Sequence, residues 1–286
     1  MTTPANDPIA ARLAGPNVLL MGPAGTGKTD SLGSLADAGV EIFYLDLENG
    51  LESLLGHWTR QGKPIPDNVH WHKIAPPKRS LKDMIDNSNK ILTLDAKTLA
   101  NINDPNRHKY NLFVKIQEAL CDFPDDRTGQ KFGPVETWDV NRALCIDGLT
   151  GFCAAGMSMM VGGKPIRSQQ DWGMAQDQVE IMLRMLCDQV PCWFVLIAHV
   201  EREVDQVLGG VKLMPSALGK ALPPKIPPMF SDVILTVREG TKWSWDTASG
   251  QADVKARNLP WQAGQIQDFA AIVKAWRARQ LAIMAK

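Results

Sequence analysis

The stretch Gly22-Pro23-Ala24-Gly25-Thr26-Gly27-Lys28-Thr29 follows the apolar run Val18-Leu19-Leu20-Met21 and fixes more of the architecture than any other part of the chain. Its glycines allow consecutive backbone N–H groups to turn toward one anion, where a side chain would block the turn or the approach. Lys28 is then placed to reach the outer phosphates of a bound nucleotide, and the Thr29 hydroxyl to coordinate Mg²⁺. Such a loop needs a strand before it and a helix after it. Residues 17–21 and Ser31-Leu32-Gly33-Ser34-Leu35-Ala36-Asp37-Ala38-Gly39 have the patterns of that strand and helix.

More buried-strand candidates follow: residues 41–47 (EIFYLDL), 143–147 (ALCID) and 192–198 (CWFVLIA). Continuous apolar runs of this length suit a parallel sheet covered on both faces, so an α/β fold is expected. One domain over residues 1–286 is expected, with a partly helical insertion at about 59–140 whose helical patterns run from Ser80 to Ala100 and from Asn111 to Cys121. Residues 202–230 carry glycine and proline pairs with little periodicity and read as a long loop. Beyond them, Ser231–Val237 reads as a strand, and Lys242–Asp246 with Ala252–Ala256 as a hairpin. An amphipathic helix at about 266–285 closes the chain, with Phe269, Ile272, Val273, Trp276 and Leu281 on its apolar side.

Lysine and arginine number 31, as do aspartate and glutamate, so the formal net charge is zero and no overall basic field advertises nucleic acid or an anionic membrane. The five cysteines form no CxxC pair, which fits buried thiols in a reducing cytoplasm rather than a zinc or disulfide framework. The amino terminus lacks a basic region followed by an apolar core, and the longest apolar run, Val190 to Ala198, is too short to span a bilayer; neither signal peptide nor membrane anchor is expected.

A phosphate site needs a carboxylate at the end of a neighbouring buried strand to hold the metal, and Asp147 has that position. Glu48 ends the strand after the phosphate-loop helix, where a carboxylate can polarise the attacking water; Asp46 competes for the same role. His70-Trp71-His72 is a weaker signal, a pair of histidines with no third ligand nearby in sequence.

Taken in order, GPAGTGKT, IFYLDLENGLESL, ALCIDGLTGF and VLIAHVERE resemble the RecA-like ATPase core, most closely the phage-encoded RecA-like proteins of recombination and single-strand annealing. The resemblance implies ATP and Mg²⁺ as ligands, Glu48 as the water-activating residue, Asp147 as the metal-holding aspartate, and His199 as the γ-phosphate sensor, where such recombinases more often carry glutamine. It places two mobile DNA-facing loops at about 154–171 and 202–228. Lys164, Arg167, Lys212, Lys220 and Lys225 are the candidate phosphate contacts there. The segment Val254-Lys255-Ala256-Arg257-Asn258-Leu259-Pro260 resembles one that reaches a neighbouring subunit's phosphates, which makes Lys255 and Arg257 candidates for cations acting in trans.

The implied partners are single-stranded DNA and further copies of the chain in a ring or filament, with a single-strand-binding protein as a further candidate. The implied location is a bacterial host cytoplasm. A ring motor (helicase or translocase) and a nucleotide-dependent assembly protein that does not act on DNA are the alternatives.

Overall fold

The computed structural model describes residues 14–76, 80–100, 109–162, 164, 166–204 and 209–284. In chain order the elements are β1 (Asn17–Met21), α1 (Lys28–Asp37), β2 (Glu41–Asp46), α2 (Leu51–Thr59), β3 (Val69–Lys73), α3 (Leu81–Thr93), α4 (Ala96–Ala100), α5 (Leu112–Cys121), β4 (Arg142–Asp147), α6 (Leu149–Val161), α7 (Gln169–Asp188), β5 (Trp193–Ala198), β6 (Val200–Val204), β7 (Val211–Pro215), β8 (Asp232–Glu239), β9 (Lys242–Asp246) and α8 (Phe269–Met284).

Seven strands form one sheet in the order β3-β2-β4-β5-β1-β8-β9, while β6 and β7 form a separate antiparallel hairpin. All neighbours in the large sheet are parallel except β8 and β9. Strand alternation divides the core in two. Leu19, Phe43, Leu144, Ile146, Phe194 and Leu196 face the side covered by α5, α6 and α7. Val18, Leu20, Ile42, Tyr44, Cys145 and Val195 face the side covered by α1, α2 and α8. Each fully buried aliphatic or aromatic side chain contributes about 1.5–3 kcal/mol, which is why strands apolar on every residue sit at the sheet centre.

Residues 59–140 take part in this sheet and core: β3 extends the sheet beside β2, and Phe113, Ile116 and Leu120 of α5 are buried. The paired histidines on β3 are tied up in side-chain contacts. His70 stacks on Phe43 and lies between Asp125 (3.1 Å) and Glu41 (3.2 Å), while His72 meets Asp126 at 2.8 Å. No group of three metal-ligating side chains occurs among the described residues. Four cysteines are buried, Cys121 is exposed, and all five are free. No helix among the described residues is long and apolar enough to cross a membrane.

Several expectations are corrected. The stretch 154–171 is mostly helix, with Met157 and Met160 buried in the core; the connection between α6 and α7 is only 162–168, and its Gly163 lies outside the described residues. Residues 202–228 contain most of the β6–β7 hairpin and two short 3-10 turns, Pro223–Lys225 and Pro227–Met229; Asp205 is not among the described residues. The tight turn at Gly240, φ 58°, pairs β9 with β8 and not with 252–256. Lys255 instead bridges Val233 near the start of β8, where β9 does not reach. Leu281 is 69% exposed and so lies off the apolar side of α8.

The 255–258 segment is anchored by Asp232, which is fully buried and accepts hydrogen bonds from the Arg257 and Asn258 backbone N–H groups (2.8 Å each) and from Asn258 Nδ2 (2.6 Å). Replacing it strands three donors in a dry site. Asp232→Ala is therefore expected to cost about 3 kcal/mol of unfolding free energy, read by chemical denaturation; a loss below about 1 kcal/mol contradicts this account.

Candidate functional site

The four central strands end together. The registers Asp46 with Asp147, Asp147 with Ile197 and Met21 with Ala198 bring the carboxyl ends of β2, β4, β5 and β1 to one edge. A cavity of about 310 Å³ opens there, lined by the loop from Ala24 to Thr29 together with Glu48, Asp147, His199 and Trp243. The sequence-predicted phosphate loop, acidic pair and strand-end histidine thus meet in one place. This is the position at which open α/β sheets hold ligands.

The loop turns into α1 through Gly27, whose φ of 82° suits glycine and whose missing Cβ leaves room for Gln267 and Trp243 to pack closely. The first N–H groups of α1 have no helical partner and point into the cavity's loop, a natural anion site. Lys28 Nζ donates to the carbonyls of Gly22 (2.9 Å) and Pro23 (2.7 Å) inside the loop. Burial lowers its pKa to about 8, against the opposing pull of Asp147 and Glu48.

Asp147 is buried, and its Oδ2 accepts hydrogen bonds from Tyr44 Oη (2.6 Å) and Thr29 Oγ1 (2.7 Å). Burial raises its pKa, with those two donors opposing, and the same burial pushes the Tyr44 phenol up. A Cβ on Gly50 would collide with both Asp147 Oδ2 and Tyr44 Oη, so glycine is required at that point of the turn. A hydroxyl and a carboxylate oxygen side by side fit Mg²⁺, which prefers a few protein oxygens and completes its shell with phosphate and water.

Asp46 and Glu48 divide the tasks for which the sequence made them competitors. Asp46 is 1% exposed, and its carboxylate accepts the backbone N–H groups of Glu48 (3.2 Å), Gly50 (2.9 Å) and Leu51 (3.3 Å), so it shapes the turn. Glu48 is the carboxylate that faces the cavity. Its Oε1 accepts the Gly151 N–H at 2.5 Å, and its Oε2 lies 3.5 Å from His199 Nε2. Burial raises its pKa above the usual carboxylate range, Asp147 adds to this, and the Gly151 N–H, His199 and Lys28 work against it.

Other residues at the site have no motif of their own. Thr236 Oγ1 lies 2.6 Å from Thr26 Oγ1, and Gln267 Nε2 donates to the Thr26 carbonyl at 2.9 Å, so β8 and the segment before α8 brace the loop from behind. Trp243, on β9, lines the cavity. Only the sheet order, which places β8 and β9 beside β1, reveals these three.

The remaining candidates lie elsewhere. Lys255 pairs with Val233, and Val233 with Leu19, which puts Lys255 and Arg257 toward the opposite edge of the sheet. The Lys255 ammonium donates to the Pro228 (3.2 Å) and Phe230 (2.5 Å) carbonyls, and its pKa is lowered chiefly by burial and then by Arg257. Arg257 lines a larger cavity of about 790 Å³ with Asn17, Trp276 and Arg279. That cavity has neither phosphate loop nor carboxylate pair, so the chemistry is assigned to the smaller one. Lys212 pairs with Asp253 (2.8 Å), Lys225 with Glu180 (2.7 Å), and Lys164 lies 3.9 Å from Asp171. Arg167 sits over the Trp172 ring, and Lys220 is exposed.

A sequence profile of the AAA domain family matches residues 14–258. No curated protein matches the chain in sequence. Among solved structures, a prototypical ATPase from the type III secretion system of pathogenic bacteria aligns at 11% identity and a TM-score of 0.39, covering 80% of this chain and 56% of that one. The assembled ATPase EscN of the type III secretion system of enteropathogenic E. coli aligns at 13% identity and a TM-score of 0.37, covering 78% and 43%. The chain thus spans about half the length of these structures. The profile runs from before β1 to beyond Arg257 and takes in the phosphate loop and the Glu48 and Asp147 carboxylates beside it, and the chain belongs to the AAA domain family.

Proposed function

We propose that this ATPase binds single-stranded DNA and acts in homologous recombination or strand annealing, with ATP joining neighbouring subunits and hydrolysis releasing them. The observation that carries the proposal is the contact between Glu48 and His199. His199 is followed directly by β6, and its carbonyl accepts the Ser216 N–H (2.7 Å) at the far end of the β6–β7 hairpin. A change at the γ-phosphate that moves Glu48 or His199 therefore pulls on the base of the hairpin that bears Lys212. Two sites joined by one such element are what coupling of hydrolysis to a partner requires.

In this reading the loop N–H groups and Lys28 hold the phosphates and offset their charge. Thr29 and Asp147 hold Mg²⁺, which supplies further charge neutralisation at the phosphates. Glu48, fixed by the Gly151 N–H, orients the attacking water and takes its proton. Arg257, on the far edge of the sheet, is positioned to serve a neighbour's site rather than its own.

One observation favours a different reading, an assembly ATPase that leaves DNA alone. Lys212 and Lys225 are committed to acids within the chain, and Lys164 is close to one. DNA phosphates would have to displace those acids, so binding would be weak and would fall steeply with salt.

At low ionic strength, single-stranded DNA is expected to raise the ATPase rate several-fold, and charge reversal at Lys212, Lys220 and Lys225 to remove the stimulation while sparing nucleotide affinity; no effect of DNA on the rate decides for the alternative. Glu48→Gln should lower kcat by about 10²-fold or more with nucleotide affinity little changed. Because Glu48 acts ionised and its pKa is raised, activity is lost on acidification at a higher pH than an ordinary carboxylate of about 4.3 would give. Lys28 binds phosphates in its charged form, so nucleotide affinity falls as pH rises through about 8, with proton uptake on binding visible by calorimetry in buffers of different ionisation enthalpy. Lys28→Ala removes both binding and turnover. Mixing inactive Lys28→Ala with inactive Arg257→Ala subunits should restore part of the rate, because intact loops then meet intact arginines; a mixture as inactive as its components rules out action in trans.

A further inference from the structure

Helix α3 is well made, yet it buries no face of its own against the described residues. Ser80 and Asp83 form a reciprocal capping box at its start, yet none of its residues is buried. Leu81 is 78% and Leu92 82% exposed, with Met84, Ile85 and Ile91 each more than half exposed. At 100° per residue, these five and Ser88 fall within one arc of about 120°, while Lys82, Asp83, Asp86 and Lys90 lie outside it. A helix of 13 residues with no buried face is marginal in water, so most of the stability of α3 must come from whatever packs on that stripe.

The character of the stripe selects its occupant. The two lysines and two aspartates of α3 cancel, and the helix has no aromatic residue, so neither an anionic bilayer nor a strongly charged partner has a handle on it. The stripe is instead complementary to itself. Laid antiparallel across a two-fold axis, two copies of α3 put Ile85 of each over Ser88 of the other, a large side chain over a small one, and set Leu81 against Leu92, with Met84 and Ile91 flanking these layers on one side. In a parallel pair Ile85 would oppose Ile85 and Ser88 would oppose Ser88, which crowds one layer and leaves a gap in the next. Complete burial of both stripes would remove at most on the order of 1,200 Å² from water, the low end of what a specific interface needs.

We propose that α3 is an isologous docking surface through which two copies of this chain pair antiparallel, a contact separate from the ATP site and independent of its chemistry. Subunits joined head to tail around ATP would thereby gain a second, two-fold connection.

The test uses the full chain without nucleotide, in a Cys121→Ser background that removes the exposed thiol. Leu81→Cys and Leu92→Cys proteins, one carrying a size tag, are oxidised alone and mixed. The antiparallel pair predicts mixed disulfide dimers forming at least about fivefold faster than either self-dimer, since position 81 then lies opposite 92 while each position is about 16 Å along the axis from its own copy. Faster self-crosslinking of each protein alone would indicate a parallel pair and overturn the assignment. Sedimentation equilibrium at tens of micromolar should show a dimer that Leu92→Lys converts to monomer while the unfolding midpoint of the rest of the chain stays unchanged, with any loss of helix content confined to about the length of α3. A wild-type chain that stays monomeric, or that binds neutral or anionic vesicles through α3, overturns the proposal. Lys28→Ala should leave the pairing unchanged, so failure here says nothing against the DNA-dependent ATPase reading, and failure of that reading says nothing against the pairing.

Discussion

Burying the Asp147 carboxylate is the constraint around which this site is built. A lone carboxylate taken out of water carries a large desolvation cost, and Asp147 offsets part of it by accepting two short hydrogen bonds, from Tyr44 on β2 and Thr29 on α1. The two donors come from two elements other than its own strand, so the carboxylate ties β4, β2 and the phosphate-loop helix together beside the phosphate loop. The close approach of Gly50 follows from the same packing. The site and the fold are held by one set of contacts, which explains why the carboxyl edge of the sheet carries so many buried polar groups.

The order of the strands then decides what the site can report. Because β5 lies between β4 and β1, the residue after β5 stands between the acidic pair and the phosphate loop. His199 occupies that position and is 3.5 Å from Glu48. The chain continues from it straight into a hairpin outside the main sheet. A residue on an edge strand would have no such connection, whereas under the proposed function His199 links the acidic pair to the hairpin through a single residue.

What the sequence made legible was what local chemistry dictates. The phosphate loop, β1, β2, β4 and β5 announce themselves because buried parallel strands are apolar throughout and the loop needs glycine at fixed offsets. The separation of Asp46 from Glu48 was out of reach, since it depends on which carboxylate bends back onto the turn's own N–H groups. The methionines of α6 read as loop residues beside Gly162 and Gly163, although Met157 and Met160 fill the core. The turn at Gly240 is not legible because both 239–241 and 247–250 offer a glycine beside Lys242–Asp246, and only the pairing with β8 decides between them. Tyr44, Thr236, Trp243 and Gln267 carry no motif; each reaches the site only through sheet order and register, which no short window contains.

The acid partners of Lys212 and Lys225 bear on how binding could be coupled to nucleotide state. A cation held by a carboxylate a few ångströms away is not an open phosphate site, and exchanging one anion for another yields little net free energy at the surface. Lys212 sits on β7 and its partner Asp253 in the segment that precedes Lys255 and Arg257, the same segment whose Ala252 bridges Leu213 of β7. Hairpin and segment therefore move as one or part from each other. If assembly draws Arg257 toward a neighbour's phosphates, the pull is transmitted along 252–257 to Asp253, and the lysine it would release lies on the hairpin whose base is bonded to His199. Nucleotide, neighbour and partner would then act on one pair of charges, and a chain with no net charge could still present a cationic surface only in its assembled, ATP-bound form.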